Sequence, residues 1–250
     1  MERGLYIAAT GMTSALVRQD LIANNLANVS TVGFKADRAV NETFADSLLY
    51  KMNGAGQQQV MGTLNYGTRV AGTITDFSQG SMRATEQPLD VALTGDGFFR
   101  IRTDDGSVAY TRNGQFTRSP EGFLQTSQGQ FVLGPDNLPV FAGTSGDPVI
   151  RRDGAVFGPD GDALGQIGVA TLDVPNAKKV GDNMWIGAET GGLPATTQLR
   201  QGYVEASGVD SVKEMVEMIT NMRAYESSQR AITAIDGTID KAVNSVGTLG

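Results

Sequence analysis

Residues 22–35 read IANNLANVSTVGFK, and this short stretch determines how the rest of the chain is interpreted. It contains three asparagines close together: Asn24, Asn25 and Asn28. Asparagine is a poor helix former because its side-chain amide competes for backbone hydrogen bonds, yet the apolar spacing here is helical. Gly33, which precedes Phe34, is suited to end the helix, since glycine adopts the left-handed conformation that commonly closes one. The stretch therefore predicts a place where a packing helix becomes a link to another domain.

The helical spacing extends from this stretch back towards the N-terminus. Seven positions step alternately by three and four residues, and six of them are apolar: Leu5, Ala8, Met12, Ala15, Gln19, Ile22 and Leu26. Such spacing is typical of a helix that packs along a seam in a bundle or coiled coil. The helical period continues past residues 4–17, and the preceding Met-Glu-Arg is not positively charged overall, so we expect no Sec signal.

A second and longer helix is predicted at the C-terminal end. Ser211 and Glu214 have the spacing of a capping box, and Asp210 adds negative charge at the helix start. Apolar and aromatic residues then recur at helical spacing: Val212, Met215, Ile219, Met222, Tyr225, Ile232, Ile235, Ile239 and Val243. The predicted helix is roughly three times as long as the ~11–12 residues typical of globular domains.

The middle of the chain is predicted to be β structure. Turn signals recur at roughly eight- to twelve-residue intervals, at Gly95-Asp96-Gly97, Asp104-Asp105-Gly106, Asn113-Gly114 and Ser119-Pro120-Glu121-Gly122. Asp-Gly and Asn-Gly supply the positive φ that tight hairpin turns require. We therefore predict an α+β fold in three parts. A coiled-coil pair of helices comes from residues 1–34 and 208–250, extended links from 35–84 and 187–207, and a central all-β domain from 85–186.

The composition argues against catalysis. The chain has no cysteine and no histidine, which removes thiolate nucleophiles, imidazole bases and the usual ligands of zinc. Its net charge of −7 argues against binding to nucleic acid, which normally requires a basic surface. The acidic clusters at Asp104-Asp105 and Asp160-Gly161-Asp162 lack the spacing of a calcium loop, and no apolar run is long enough to span a membrane. We expect no catalytic, cofactor or metal site.

The chain resembles the flagellar rod and hook proteins, the axial proteins of the bacterial basal body. Three motifs carry the resemblance, in the family's order: ANNLANVSTVGFK at residues 23–35; PLDVALTGDGFF at 88–99 with AYTRNGQF at 109–116; and QGYVEASGVDSVKEMVEMI at 201–219 with RAYE at 223–226. The resemblance implies a structural protein of the basal body, without catalysis. In this family the terminal helices of one chain pair as a coiled coil, and many subunits form a helical tube that transmits motor torque to the hook.

The resemblance also implies partners and a place. The partners are further copies of the chain, other rod and hook proteins, ring bushing proteins, and the type III export apparatus through which subunits leave the cell. Hook proteins are usually longer because they carry an additional outer domain, which leaves the distal and proximal rod types. Residues 47–59 and 62–82 are more similar to the distal type, whereas the opening MERGLYIAATGM is more similar to the proximal type; we lean towards the distal rod.

Assembly assigns roles to the helical residues. Within one chain, Leu5, Met12, Leu16, Ile22 and Leu26 are expected to meet Val212, Met215, Ile219, Met222 and Ile232. The remaining faces, which include Met218, Tyr225, Ile235 and Ile239, are expected to contact neighbouring subunits. The amides of Asn24, Asn25 and Asn28 are expected to fix the register between subunits, as a buried asparagine does in a coiled coil.

Other functions are compatible with parts of this pattern. A secreted β-domain binding module tethered by helices would bind a small ligand in the β domain and would not require the terminal helices. A short hook-like protein would share the three motifs. A carboxylate-based hydrolase would need two carboxylates about 5–9.5 Å apart in a cleft.

Overall fold

The computed structural model describes residues 2–43, 47–52, 58–64, 67–181, 183–194 and 196–247. Helix α1 spans Glu2–Ala27 and helix α2 spans Ser211–Gly247. The strands before residue 90 are β1 (Asp37–Thr43), β2 (Ser47–Met52), β3 (Gln58–Leu64), β4 (Thr68–Thr75) and β5 (Met82–Ala84). The two terminal helices and the β-rich region between them confirm the predicted α+β class.

Fifteen further short strands follow before α2 within the described residues. The first eight are β6 (Val91–Thr94), β7 (Phe98–Arg102), β8 (Val108–Thr111), β9 (Phe116–Arg118), β10 (Leu124–Thr126), β11 (Phe131–Val132), β12 (Val149–Ile150) and β13 (Ala155–Phe157). The others are β14 (Ala163–Gln166), β15 (Val169–Leu172), β16 (Lys178–Lys179), β17 (Met184–Ile186), β18 (Glu189–Gly191), β19 (Gln198–Gln201) and β20 (Tyr203–Glu205). A 3-10 turn at Val174–Asn176 precedes β16.

The chain forms two compact units. The helical unit comprises Met1–Ala27, Asp37–Asp76 and Asp210–Gly250, and the β unit comprises Asn28–Ala36 and Phe77–Val209. Much of the segment 35–84, expected to be an extended link, forms the antiparallel pairs β1–β4 and β2–β3 of the helical unit. Residues 187–207 contribute β18, β19 and β20, which pair with β15, β6 and β5. Both segments, expected to be extended links, thus contain paired strands.

The helical unit is built on an antiparallel pair of helices. Gly4 approaches Ile235, and Gly11 approaches Ser228, so closely that a Cβ at these glycines would lie 3.2 Å and 3.7 Å from the partner side chains. The Asn221 side-chain amide donates to the Ala15 carbonyl oxygen at 2.8 Å. Small residues allow this close approach, and the amide takes the place of an apolar contact. That the pair supercoils as a coiled coil stays a prediction.

The C-terminal end of α1 and the N-terminal end of α2 both differ from the sequence-based prediction. Helix α1 ends at Ala27 rather than at Gly33, and Asn28 and Thr31 form the turn that follows, through both backbone and side-chain hydrogen bonds. Helix α2 is capped by Asp210, whose Oδ1 accepts from the amides of Val212 and Lys213 at 3.0 and 3.3 Å. The predicted capping box between Ser211 and Glu214 is therefore wrong by one position: Ser211 is already helical.

The β unit contains a nine-stranded antiparallel sheet with the order β16-β17-β8-β7-β11-β10-β9, to which β15 and β18 are joined through β7. Its main core packs these buried side chains: Val91, Leu93, Phe99, Phe116, Leu124, Val132, Val140, Ala142, Ile150, Val156, Ile167, Val169 and Leu199. A second cluster surrounds Trp185, whose ring contacts Phe77 and Phe98. This packed unit supports the buried segment described below.

Candidate assembly surface

Helix α2 carries an unpartnered apolar face over its first turns. Five residues, termed here the α2 stripe, are between 46% and 66% exposed: Val212, Met215, Val216, Ile219 and Met222. At 3.6 residues per turn they lie on one side of the helix. On the opposite side, Asn221, Ser228 and Ile235 recur every seven residues and face α1. The stripe is thus a contiguous hydrophobic surface that α1 does not cover.

The sequence predicted that apolar side chains of α1 and α2 pack against each other within one chain. For most of the residues named in that prediction, it is wrong. Leu5 and Leu16 of α1 are exposed, as are Val212, Met215, Ile219 and Met222 of α2, whereas Ile22 is buried. Met12, Leu26, Met218, Tyr225, Ile232, Ile235 and Ile239 are half-buried. The reason is geometric: steps of three and four drift around a straight helix. The α2 pattern therefore begins on the outer face and turns towards α1 by Ile235, whereas its last residue, Val243, is exposed again.

The Asn25 side chain forms its hydrogen bonds within the chain, and the residue is only 2% exposed. Its Nδ2 donates to the Asp37 carbonyl oxygen at 2.9 Å, and its Oδ1 accepts from the Asp37 amide at 3.1 Å. The side chain thereby ties the start of β1 to α1, which contradicts a role in register between subunits. Asn24 is exposed on α1, whereas Asn28 lies outside the helix, so the two do not share a helical face.

Asn25→Leu is expected to lower the stability of the helical unit by about 2–3 kcal/mol, since both backbone groups of Asp37 lose their partners. Thermal unfolding followed by circular dichroism at 222 nm measures the loss. Asn24→Leu, at the exposed neighbouring position, is the matched control and is expected to change stability by less than about 0.5 kcal/mol. Equal effects of the two substitutions would contradict the structural role of Asn25.

The last residues of the stretch 22–35 are buried in the β unit. Residues 32–36 are all buried, and residues from distant parts of the chain bond to several of their backbone groups. The amide of Gly33 donates to the Glu205 carbonyl oxygen at 2.8 Å, and the amide of Gly208 donates to the Phe34 carbonyl oxygen at 2.9 Å. Asn183 donates to the Val32 carbonyl oxygen at 2.9 Å. Gly33 and Phe34, predicted to lie where the helix becomes a link, are therefore buried parts of the β unit.

Lys35 lies at the centre of a buried cluster of charges. It and Glu205 are each 1% exposed, and the Lys35 Nζ lies 2.6 Å from the Glu205 Oε1 and 2.7 Å from the Ser78 carbonyl oxygen. The other carboxylate oxygen accepts from Arg112 at 3.2 Å. Burial lowers the pKa of Arg112, and the charges of Glu205 and Asp96 act in the opposite direction. Sequence reasoning selected the motif that contains Lys35 but did not find its partners.

Comparison with known proteins identifies the family. The family model described as "Flagella basal body rod protein" matches residues 5–35, "Flagellar hook protein FlgE/F/G D1 domain" matches 92–158, and "Flagellar basal body rod FlgEFG protein C-terminal" matches 200–245. Flagellar basal-body rod protein FlgG of Borreliella burgdorferi is 37% identical over 98% of both chains. The chain belongs to the FlgG family of flagellar basal-body rod proteins. FlgG of Bacillus subtilis is 34% identical over 98% of this chain and 99% of its own, and FlgG of Agrobacterium fabrum is 35% identical over 94% and 95%.

Family membership confirms the resemblance and decides between the functions considered. The chain is a structural subunit of the flagellar basal-body rod and not an enzyme. Similarity to FlgG also confirms the lean towards the distal rod type, and neither the binding module nor the short hook-like protein is favoured. Each of the two described helices lacks a stretch apolar enough to cross a membrane, and the described residues hold no cluster of three potential metal ligands.

The matched regions coincide with the features described above. The first match ends at Lys35, and the last begins at residue 200 and includes both Glu205 and the α2 stripe. The buried ion pair therefore joins the two terminal family regions of this FlgG-family chain, although they are separated by most of the sequence.

Proposed function

We propose that this chain polymerises with copies of itself into a helical tube in the flagellar rod, and that the helical unit makes the contacts between subunits. The α2 stripe carries the proposal, because a contiguous apolar surface on a structural subunit marks a protein–protein contact. An interface between copies that does not close on itself produces an open helical filament.

The tube would transmit motor torque to the hook, which requires stiffness from many weak contacts repeated with helical symmetry. Its ends would contact other rod and hook proteins, and its outer surface would contact ring bushing proteins. The subunits would reach the assembly site through the type III export apparatus. Leu5 and Leu16 of α1, together with Met218 and Tyr225 of α2, would extend the contact surface beyond the α2 stripe.

Replacing two residues of the α2 stripe tests the proposal. The double substitution Met215→Gln with Ile219→Gln is expected to raise the critical concentration for polymerisation roughly tenfold or more, since each side chain loses about 1 kcal/mol of burial in the polymer. Glutamine preserves helix propensity, so the circular dichroism of the monomer should not change. Sedimentation and negative-stain microscopy measure the polymer.

The matched control is Leu138→Gln, which removes an apolar side chain from the β unit that is even more exposed than Met215 or Ile219. It should polymerise like the unsubstituted chain. Polymers of the double variant at the unsubstituted critical concentration would contradict the role of the α2 stripe.

A further inference from the structure

A polar cavity of about 320 Å³ lies within the helical unit. Helix α1 contributes Arg18, Leu21, Ile22 and Asn25, β1 contributes Asp37, Arg38 and Ala39, and α2 contributes Glu214, Glu217 and Thr220. Three carboxylates and two guanidinium groups give the lining an excess of one formal negative charge. The cavity lies beside the first turns of α2, the same turns that carry the α2 stripe.

Glu214 is the unusual member of this lining. It is only 7% exposed, and its Oε2 has no hydrogen-bond partner among the described residues. The Arg38 guanidinium of the lining instead lies 3.6 Å from the Asp76 carboxylate. A buried carboxylate oxygen without a partner is costly, so the free chain holds an unsatisfied acceptor that lines the cavity.

The ionisation of Glu214 supports this description. Burial raises the pKa of Glu214, a hydrogen bond with Asn25 lowers it, the charge of Glu217 raises it, and the charges of Arg38 and Lys213 lower it. A raised pKa in the folded state means that the protonated form is favoured by folding, so ionisation at neutral pH destabilises the helical unit. Glutamine has the same shape without the charge and would be the more stable residue for an isolated subunit.

We propose that this cavity receives a basic side chain from an adjacent copy of the chain, and that Glu214 Oε2 accepts its hydrogen bond. The net negative lining favours a cation, and the unsatisfied oxygen can only accept. A neighbour that covers the α2 stripe passes the rim of the cavity, because Thr220 of the lining is exposed and lies one helical turn after Val216 of the stripe. The inference rests on the proposed function, since it names a contact within the polymer.

The variant Glu214→Gln separates assembly from folding. It is expected to raise the critical concentration for polymerisation at least about tenfold, the ratio equivalent to 1.4 kcal/mol, while the thermal midpoint of the monomer stays equal or rises. Glu214→Met, apolar and of the same length, should lose assembly in the same way. Sedimentation and circular dichroism on the full chain provide the two measurements.

Asp236→Asn is the matched control, because it removes the same charge from the same helix at an exposed position outside the cavity lining; it should polymerise nearly normally. Unchanged assembly of Glu214→Gln would overturn the proposal and mean that water satisfies the carboxylate. An equal loss in Asp236→Asn would overturn it as well, since the effect would then be one of general charge. If the unsubstituted chain forms no polymer at any concentration, the proposed function fails instead.

Discussion

Glu205→Gln is expected to lower the free energy of unfolding of the β unit by about 3–5 kcal/mol, the cost of removing one partner from a buried ion pair. Glu205 is almost fully buried and accepts hydrogen bonds from the Lys35 ammonium at 2.6 Å, the Arg112 guanidinium at 3.2 Å and the Gly80 amide at 2.8 Å. The amide of glutamine keeps the shape, but it leaves two buried cations without a neutralising charge. Its NH₂ group also cannot accept a hydrogen bond from either cation.

Urea unfolding followed by the fluorescence of Trp185 measures this loss. Trp185 is the only tryptophan in the chain and is buried in the β unit, so its emission reports that unit alone. Glu121→Gln, at an exposed turn, is the control and is expected to change stability by less than about 0.5 kcal/mol. A loss below about 1 kcal/mol for Glu205→Gln would show that Lys35 and Arg112 find other partners or reach water.

A double-substitution cycle shows whether the cluster acts as one unit. Lys35→Met removes the ammonium, but Glu205 keeps Arg112 and the Gly80 amide as partners. Because the two residues are in direct contact, Lys35→Met combined with Glu205→Gln is expected to cost less than the sum of the single substitutions. The same Trp185 fluorescence measurement applies to each variant.

The elements with local signals could be predicted from the sequence. Helical spacing located α1 and α2, and the Asp105-Gly106 turn located the β7–β8 hairpin, because both signals depend on residues close together in the chain. Asn113-Gly114 does not close a hairpin, since the strands it joins, β8 and β9, do not pair with each other. The pairs β1–β4 and β19–β6 could not be predicted, since each joins strands that are separated by long intervening segments. Nothing in residues 35–84 alone distinguishes an extended link from a paired strand.

The candidate assembly surface could be predicted only in part, because it too depends on contacts between residues far apart in the sequence. Spacing shows that apolar residues lie along a helix, but it does not show which face the other helix covers. Gly4 and Gly11 face α2 although neither carries a side chain that a hydrophobic pattern would register. The partner of Lys35 lies 170 residues away, and Asn25 is set apart from Asn24 only by its hydrogen bonds to Asp37. Tertiary contacts, rather than residue types, assign these roles.

Gly33→Ala is expected to destabilise the β unit by about 2–5 kcal/mol, through left-handed backbone strain of about 1–2 kcal/mol and overpacking of about 1–3 kcal/mol. Gly33 has a φ of +67°, and a Cβ there would lie 2.6 Å from both the carbonyl carbon and the carbonyl oxygen of Arg112. The Arg112 backbone cannot move away easily, because its side chain is held by Glu205 and by the Gly95 carbonyl oxygen. Displacement of Gly33 would also break its hydrogen bond to Glu205.

Gly106→Ala separates the cost of backbone strain from the cost of the steric contact with Arg112. Gly106 has a φ of +80°, but nothing lies within 4 Å of the position a Cβ would take, so alanine there experiences only the left-handed backbone strain, about 1–2 kcal/mol. The difference between the two variants in urea unfolding, read from Trp185, is therefore the effect of the contact with Arg112. Equal losses of stability in the two variants would mean that the segment around Gly33 shifts without resistance. The close packing of residues 32–36 would then not hold this segment in place.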